Sequence, residues 1–285
     1  MLESMINPAR LEKGPFKMFF IGLLYASLSI LLVKWFFSGD AVLYNYSGMI
    51  IVTFCVMFSI PFMYYIIKIE EEEDEQVSGF FGVWKAHSDA IYAFMWLFFG
   101  FLIAFSFWYI ILQDQNLFNA QIETYCMINS PGGIEDCVQK YNFGTASPTG
   151  AATKEARFLS IISNNIYVMI FTLIFSLIFG AGAIFILAWN ASVISTAIGV
   201  FTQYQINEIP IGLARYMLHG FPEIAAYFVT ALAGGIFGVD IMRNGFANLK
   251  SLRVVENVFI LLSMAILFLV VAGVIEVYLT PVLFR

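Results

Sequence analysis

Four polar side chains that could do chemistry follow one another at four-residue intervals inside an apolar stretch: Arg215, His219, Glu223 and Tyr227. On an unbroken helix this spacing places all four on one face, where they could form a ladder of hydrogen bonds. An ionisable side chain at membrane depth costs about 2.5–3.5 kcal/mol on insertion scales, so each must be paired or face a polar cavity. The stretch is therefore a candidate ligand, ion or proton site.

The sequence His219-Gly220-Phe221-Pro222 favours a helix break at this point, because Gly suits the end of one helix and Pro the first turn of the next. Glu223 would then lie at a positive helix N-terminus, and broken helices of this kind form ion and substrate sites in many transporters. The alternative is that His219 and Glu223 bond to each other and only stabilise a kink. One His and one Glu are too few ligands for catalytic zinc, and His87 is predicted in a cytoplasmic loop. We expect no metal and no cofactor.

Two further groups of residues are candidates for the site or for helix packing. Amides bracket the predicted fourth span and could cap helices or bond across them; they are Asn164, Asn165 and Asn190. Small residues at four-residue spacing predict a tightly packed helix pair or an oligomer interface; they are Ala226, Thr230, Gly234 and Gly238, with Ser176 and Gly180 in the preceding span.

The elements that hold these residues must be membrane helices. Of the 285 residues, 60% are hydrophobic and only 12% are charged, against roughly a quarter in soluble domains. We predict an all-α, polytopic integral membrane bundle with about six spans plus a re-entrant or interfacial segment at residues 191–206. The predicted spans are residues 18–37, 41–67, 90–113, 166–188, 223–239 and 257–275. We expect the lipid bilayer to surround these helices.

The distribution of Lys and Arg predicts a cytoplasmic N-terminus in the cell membrane, because the start of the chain and the second loop are the basic segments. The chain then divides into a three-span region with a cytoplasmic acidic loop (residues 1–113), an extracytoplasmic loop (114–157) and a C-terminal membrane core (158–285). Six spans place Arg243, Lys250 and Arg253 outside, against the positive-inside tendency. A seventh crossing by residues 191–206 would remove this conflict and move the C-terminus outside.

Two polar features accompany this topology. The acidic block from Glu70 to Glu75 is interpreted as a solvated helix end, and the lack of a basic patch argues against nucleic acid as a partner. Cys126 and Cys137 lie in the predicted outer loop, where an oxidising exterior would permit a disulfide; two unpaired thiols are the alternative.

The motifs Asn164-Asn165, WNAS at residues 189–192 and HGFPEIAAYFVTALAGGIFG at residues 219–238 resemble the stage II sporulation protein M family. The opening residues are similar to archaeal members of that family. This chain has Asn190-Ala191 where members have Asn-Gly. The resemblance implies a membrane protein that, like the founding bacterial member, acts without enzymatic activity as a scaffold for other proteins.

Three hypotheses follow for function. The first is a non-enzymatic scaffold or membrane-organising protein that forms a homo-oligomer and contacts other membrane or envelope proteins. The second is a transporter or channel component with a polar site at the broken helix around His219 and Glu223. The third is an intramembrane hydrolase, although the sequence contains no recognisable catalytic set.

Overall fold

The computed structural model describes residues 15–74, 79–129, 135, 137–138, 154–179, 184–244 and 249–284. The regular secondary structure of these residues is helical, with no strand among them. A 3₁₀ turn precedes α5 (Gln115–Phe118) and another precedes α8 (Ile206–Glu208), while a π-helical turn at Ile275–Leu279 joins α9 to α10. The α-helices are α1 Lys17–Phe37, α2 Ala41–Tyr44, α3 Ser47–Asp74, α4 Phe80–Leu112, α5 Asn119–Asn129, α6 Lys154–Phe179, α7 Ile184–Phe201, α8 Ile209–Asn244, α9 Leu249–Val274 and α10 Thr280–Leu283.

Seven helical segments in the described part of the chain are long and apolar enough to cross a membrane. They are α1, α3, α4, α6, α7, α8 and the continuous unit from α9 to α10. The all-α polytopic bundle predicted from the sequence is confirmed, with seven candidate spans in place of six. The additional one is α7, which takes in most of the segment interpreted as re-entrant.

The predicted boundary of the fourth span was wrong, because α6 ends at Phe179 and α7 already begins at Ile184. No charged side chain lies between residues 158 and 207, so charge does not mark where one helix ends and the next begins. The polar residues of α7 do not prevent a crossing. Ser195, for example, is buried, and its Oγ donates to the carbonyls of Ala191 at 2.7 Å and Leu102 at 3.0 Å.

Helices α1 and α4 lie side by side and run in the same direction. Gly22 faces Gly100 so closely that a Cβ on either would overlap the backbone of the other helix. Further along the same direction, Lys34 Nζ lies 3.7 Å from the carboxylate of Asp114, just after α4. Close backbone approach at glycine is a common way to pack membrane helices.

Helix α7 extends this layer on the other side of α4 and is parallel to it. Ser195 contacts Leu102 near the middle of the two helices. Toward their ends, the hydroxyls of Tyr204 and Tyr109 lie 3.3 Å apart. Helices α1, α4 and α7 therefore form one layer of three parallel helices.

A second layer contains α6, α8 and α3, also parallel to one another. In α8, Gly234 packs on Leu173 of α6, and Gly235 packs on Ile67 of α3. One to two turns later, Gly238 packs on Leu177. Helices α7 and α8 are consecutive and antiparallel, so the helices of this layer run in the opposite direction to those of the first. Helix α9 packs against α8 and α6.

Aromatic side chains fill the space between the two layers. The ring of Phe228 in α8 lies 5.5 Å from that of Phe94 and 6.3 Å from that of Phe98, both in α4. All three side chains are at most 1% exposed. The two ends of the bundle are named below by the α8 arginines that mark them, the Arg215 end and the Arg243 end.

Candidate functional site

Helix α8 carries the candidate residues and is continuous from Ile209 to Asn244, with Pro222 inside it. The predicted break at residues 219–222 was therefore wrong. Proline removes one backbone hydrogen bond within the helix, but neighbouring helices can support such a turn in a membrane bundle. Arg215, His219, Glu223 and Tyr227 thus keep the four-residue register of an unbroken helix.

Glu223 is the centre of a polar cluster between α6, α8 and the end of α9. The hydroxyl of Tyr227 donates to Glu223 Oε1 at 3.0 Å. The side-chain amide of Asn165, on α6, lies beside the same carboxylate. Tyr227 is fully buried and Asn165 is 4% exposed, whereas Glu223 is partly exposed. The carboxylate therefore lies at the outer edge of a mostly buried site.

Glu276 and Thr280 also belong to this cluster, although the last predicted span ended at residue 275, before both of them. Glu276 lies in the π-helical turn and is close enough to Glu223 for their charges to interact. Thr280 Oγ1 lies 3.5 Å from His219 Nδ1. The last apolar segment continues to Leu283, so Glu276 lies inside a membrane span. A charged side chain inside a span was the sequence signal for this part of the site, and it was missed.

The cluster lies below the membrane surface on the Arg215 side. Glu276 is about 10 Å from the end of its segment at Leu283, at a helical rise of about 1.5 Å per residue. Asn165 lies at a similar distance from the start of the apolar window of α6 at Phe158. At this depth, hydrocarbon cannot solvate the carboxylates.

The other predicted site residues lie elsewhere or bond locally. Arg215 donates to the carbonyl of Phe284 at 3.2 Å, and its guanidinium lies 4.6 Å from the ring centroid of Phe201, at the bundle end. Asn190 Nδ2 donates to the Ile186 carbonyl of its own helix at 2.8 Å. Asn164 is exposed and reaches the cluster only through its neighbour Asn165, at 3.4 Å.

The small residues of α8 pack inside the chain against α6. A Cβ on Gly238 would lie 2.6 Å from the carbonyl oxygen of Leu177, and one on Gly234 would lie 2.8 Å from that of Leu173. Ser176 donates a hydrogen bond to the carbonyl of Ala231 across the same contact. Ala226 and Thr230 are also buried, with Thr230 Oγ1 bonded to the Ala226 carbonyl, whereas Gly180 lies outside the described residues.

A second charged cluster lies at the Arg243 end. His87 Nδ1 and Glu70 Oε2 are 2.6 Å apart, and Arg243 pairs with Glu71. Glu70, Glu71 and His87 are fully buried, so the interpretation of the acidic block as solvated was wrong for its first two residues. The placement of His87 in a loop was also wrong, because it lies in α4. The charges there tie α3 to α4 and α8.

The Cys126–Cys137 pair forms a disulfide at the Arg215 end. At the same end, the hydroxyl of Tyr44 donates to the Asp114 carboxylate. Burial and this bond to an anion raise the pKa of Tyr44 above its ordinary value. At this end, the disulfide joins Cys126 of α5 to Cys137, and the hydrogen bond joins α2 to the segment that follows α4.

The cluster around Glu223 could bind a proton or a cationic group, because it combines two carboxylates with an imidazole, a phenol and an amide. Within the described ranges, no three His, Cys, Asp or Glu side chains are arranged to hold a metal ion. Two partly exposed carboxylates can bind or release a positive charge without forming a covalent bond.

Comparison with protein families gives a match to the family described as Stage II sporulation protein M, over residues 51–281. The matched range includes the Asn164-Asn165 and HGFPE motifs. No curated protein and no solved structure matches the chain. Because the family match covers most of the 285 residues, the chain belongs to the stage II sporulation protein M family.

Proposed function

We propose that this multi-pass membrane protein is a non-enzymatic scaffold that holds other membrane or envelope proteins in place. The observation that supports a structural role is the filled space between its two layers, where Phe94, Phe98 and Phe228 are at most 1% exposed. A rigid, close-packed interior suits a protein whose outer surface is used for contacts. Family membership supports the same proposal.

A homo-oligomer is not required by this proposal. The small residues that motivated it are used inside the chain, where Gly234 and Gly238 pack on α6. Contacts with other proteins would instead use the outer faces of α1, α6 and α9. Exposed side chains on these faces include Trp35, Tyr167 and Phe259.

Site-specific photo-crosslinking tests the scaffold in native membranes. A photoreactive amino acid replaces Trp35, Tyr167 or Phe259 in separate variants, so that each outer face carries one probe. We expect one face to give a discrete product with a second protein, because a scaffold keeps a defined neighbour. A product of two copies of the chain would identify a homo-oligomer, whereas lipid adducts alone from all three faces would contradict the scaffold.

A transporter or channel component is the second candidate, supported by the ionisable side chains in the membrane-spanning part of the bundle. Glu223, Glu276 and His219 supply ionisable groups at membrane depth. Flux of protons or alkali cations into proteoliposomes, compared with a Glu223→Gln variant, tests this candidate. Equal leak from both variants and from empty liposomes would exclude it.

A further inference from the structure

Helix α6 leaves most of its surface uncovered by the rest of the chain. Of its most apolar 18 residues, only 22% are buried, the smallest share among the seven candidate spans of the described residues. Asn165 turns toward the bundle and is 4% exposed, whereas its neighbour Asn164 is exposed. The span begins at Phe158, so Asn164 lies about 9 Å below its start, at a helical rise of about 1.5 Å per residue. The outer surface of α6 therefore carries an amide at membrane depth.

The amide of Asn164 is incompletely bonded. Its Nδ2 reaches Asn165 Oδ1 at 3.4 Å, beyond the usual range of about 2.7–3.2 Å, and no other hydrogen bond joins this amide to the described residues. Exposed hydroxyls on other helices differ, because Thr53 and Ser263 each donate to the carbonyl four residues earlier. Hydrocarbon offers neither a donor nor an acceptor to the Asn164 amide. Amides on membrane helices are commonly satisfied by a bond to another helix.

The exposed residues of α6 form a straight seam that contains Asn164. They follow one another at alternating intervals of four and three residues, the spacing at which two helices pack along their whole length. An asparagine within such a seam fixes both the register and the number of helices that associate. The residues of the seam are Ser160, Asn164, Tyr167, Phe171, Ile174 and Ile178, all of them exposed.

A second copy of the chain supplies the matching group by symmetry. Two copies in one membrane share the same orientation, so a two-fold axis between them is normal to the bilayer. Residues near this axis meet their own equivalents at the same depth. A carboxamide has both donors and an acceptor, so two Asn164 side chains can exchange two hydrogen bonds. A different protein would need a polar group of its own at this depth, and an acyl chain has none.

We propose that α6 packs against α6 of a second copy around a two-fold axis, with the two Asn164 amides bonded to each other between the membrane surfaces. Asn164-Asn165 then serves two contacts, because Asn165 faces the inside of the bundle and Asn164 faces the other copy. The outer faces of α1 and α9 stay open to other proteins. The dimer is compatible with either candidate function and depends on neither.

Energy transfer between donor-labelled and acceptor-labelled copies of the full-length protein tests the dimer in liposomes, at increasing lipid-to-protein ratio. We expect transfer above the level of random encounters. Asn164→Leu should raise the dissociation constant about tenfold, since two bonds between membrane helices are lost, whereas Asn164→Gln should retain most of the affinity. Ser263→Leu is the matched control, because that exposed hydroxyl of α9 bonds to its own helix.

Transfer at the random level in the unsubstituted protein would overturn the proposal. So would equal dissociation constants for Asn164→Leu and Ser263→Leu. Because the liposomes contain no other protein, these results bear on the dimer alone and leave the scaffold to its own test.

Disulfide crosslinking in native membranes gives a second measurement that keeps Asn164 in place. Tyr167→Cys should give a product of two chains on oxidation, and Ser263→Cys should not. The new thiol is the reactive one, because Cys126 and Cys137 are bonded to each other and Cys55 is buried. No product from Tyr167→Cys, a product with a different protein only, or an equal yield from Ser263→Cys would each overturn the proposal.

Discussion

Gly238→Ala should destabilise the bundle, because the new methyl group would meet the backbone of α6. The Cβ would lie 2.6 Å from the carbonyl oxygen of Leu177, about 0.8 Å short of the 3.4 Å at which ordinary contact begins. A carbonyl inside a helix cannot rotate away, so the two helices must separate. Overpacking of this kind costs typically 1–3 kcal/mol. Alanine improves helix propensity by about 1 kcal/mol, which leaves a net loss of up to about 2 kcal/mol.

Gly220→Ala is the matched control in the same helix. A Cβ there meets only Met217 of its own helix, at 3.7 Å, and needs no unusual backbone angle. We expect this variant to be neutral or to gain up to about 1 kcal/mol. Both proteins would be unfolded reversibly in mixed detergent micelles, with the free energy compared at one micelle composition. Equal stability of the two variants would refute close α6–α8 packing as the reason for glycine at residue 238.

Further predictions concern the ends of the bundle. Lys17→Cys and Leu283→Cys should label from opposite sides of sealed vesicles, with Lys17 inside, because seven crossings place the termini on opposite faces; labelling from one side would contradict this. Arg243→Gln should cost about 1.5–3 kcal/mol, measured by unfolding, because its carboxylate partner is fully buried. Cys126→Ser should cost about 3 kcal/mol under oxidising conditions and nothing after reduction, for a disulfide with a separation of 11 residues. Burial and a bond to an anion raise the pKa of Tyr44, so the stability it contributes is complete below about pH 10 and is lost as pH rises further. Tyr44→Phe should flatten that alkaline decline; an unchanged profile would contradict it.

The helical membrane fold could be predicted from composition and apolar length, but the number of spans could not. The charge-free run between residues 158 and 207 contains α6 and α7, and nothing in its composition marks where one ends. The length of this run and the positive-inside conflict at Arg243 were the indications of a seventh crossing. With α7 spanning, Arg243 lies at the same end of the bundle as Lys17 and Lys68.

The candidate site was predicted in part. Four-residue spacing placed Glu223 and Tyr227 on one face of α8, and they form the hydrogen bond that this spacing permits. Local preferences of Gly220 and Pro222 suggested a break, but packing against neighbouring helices overrides such preferences. The charge of Glu276 within an apolar segment was a signal for the site, but its approach to Glu223 depends on packing between segments distant in sequence.

Each of the two layers combines helices from both halves of the chain, and this determines how the protein can assemble. The first layer joins α1 and α4 to α7 from the C-terminal half, and the second joins α6 and α8 to α3 from the N-terminal half. Neither half of the polypeptide can complete a layer before the other has been inserted. Fragments separated within residues 139–153 should therefore accumulate only when they are produced together, each supplying the helix that the other lacks.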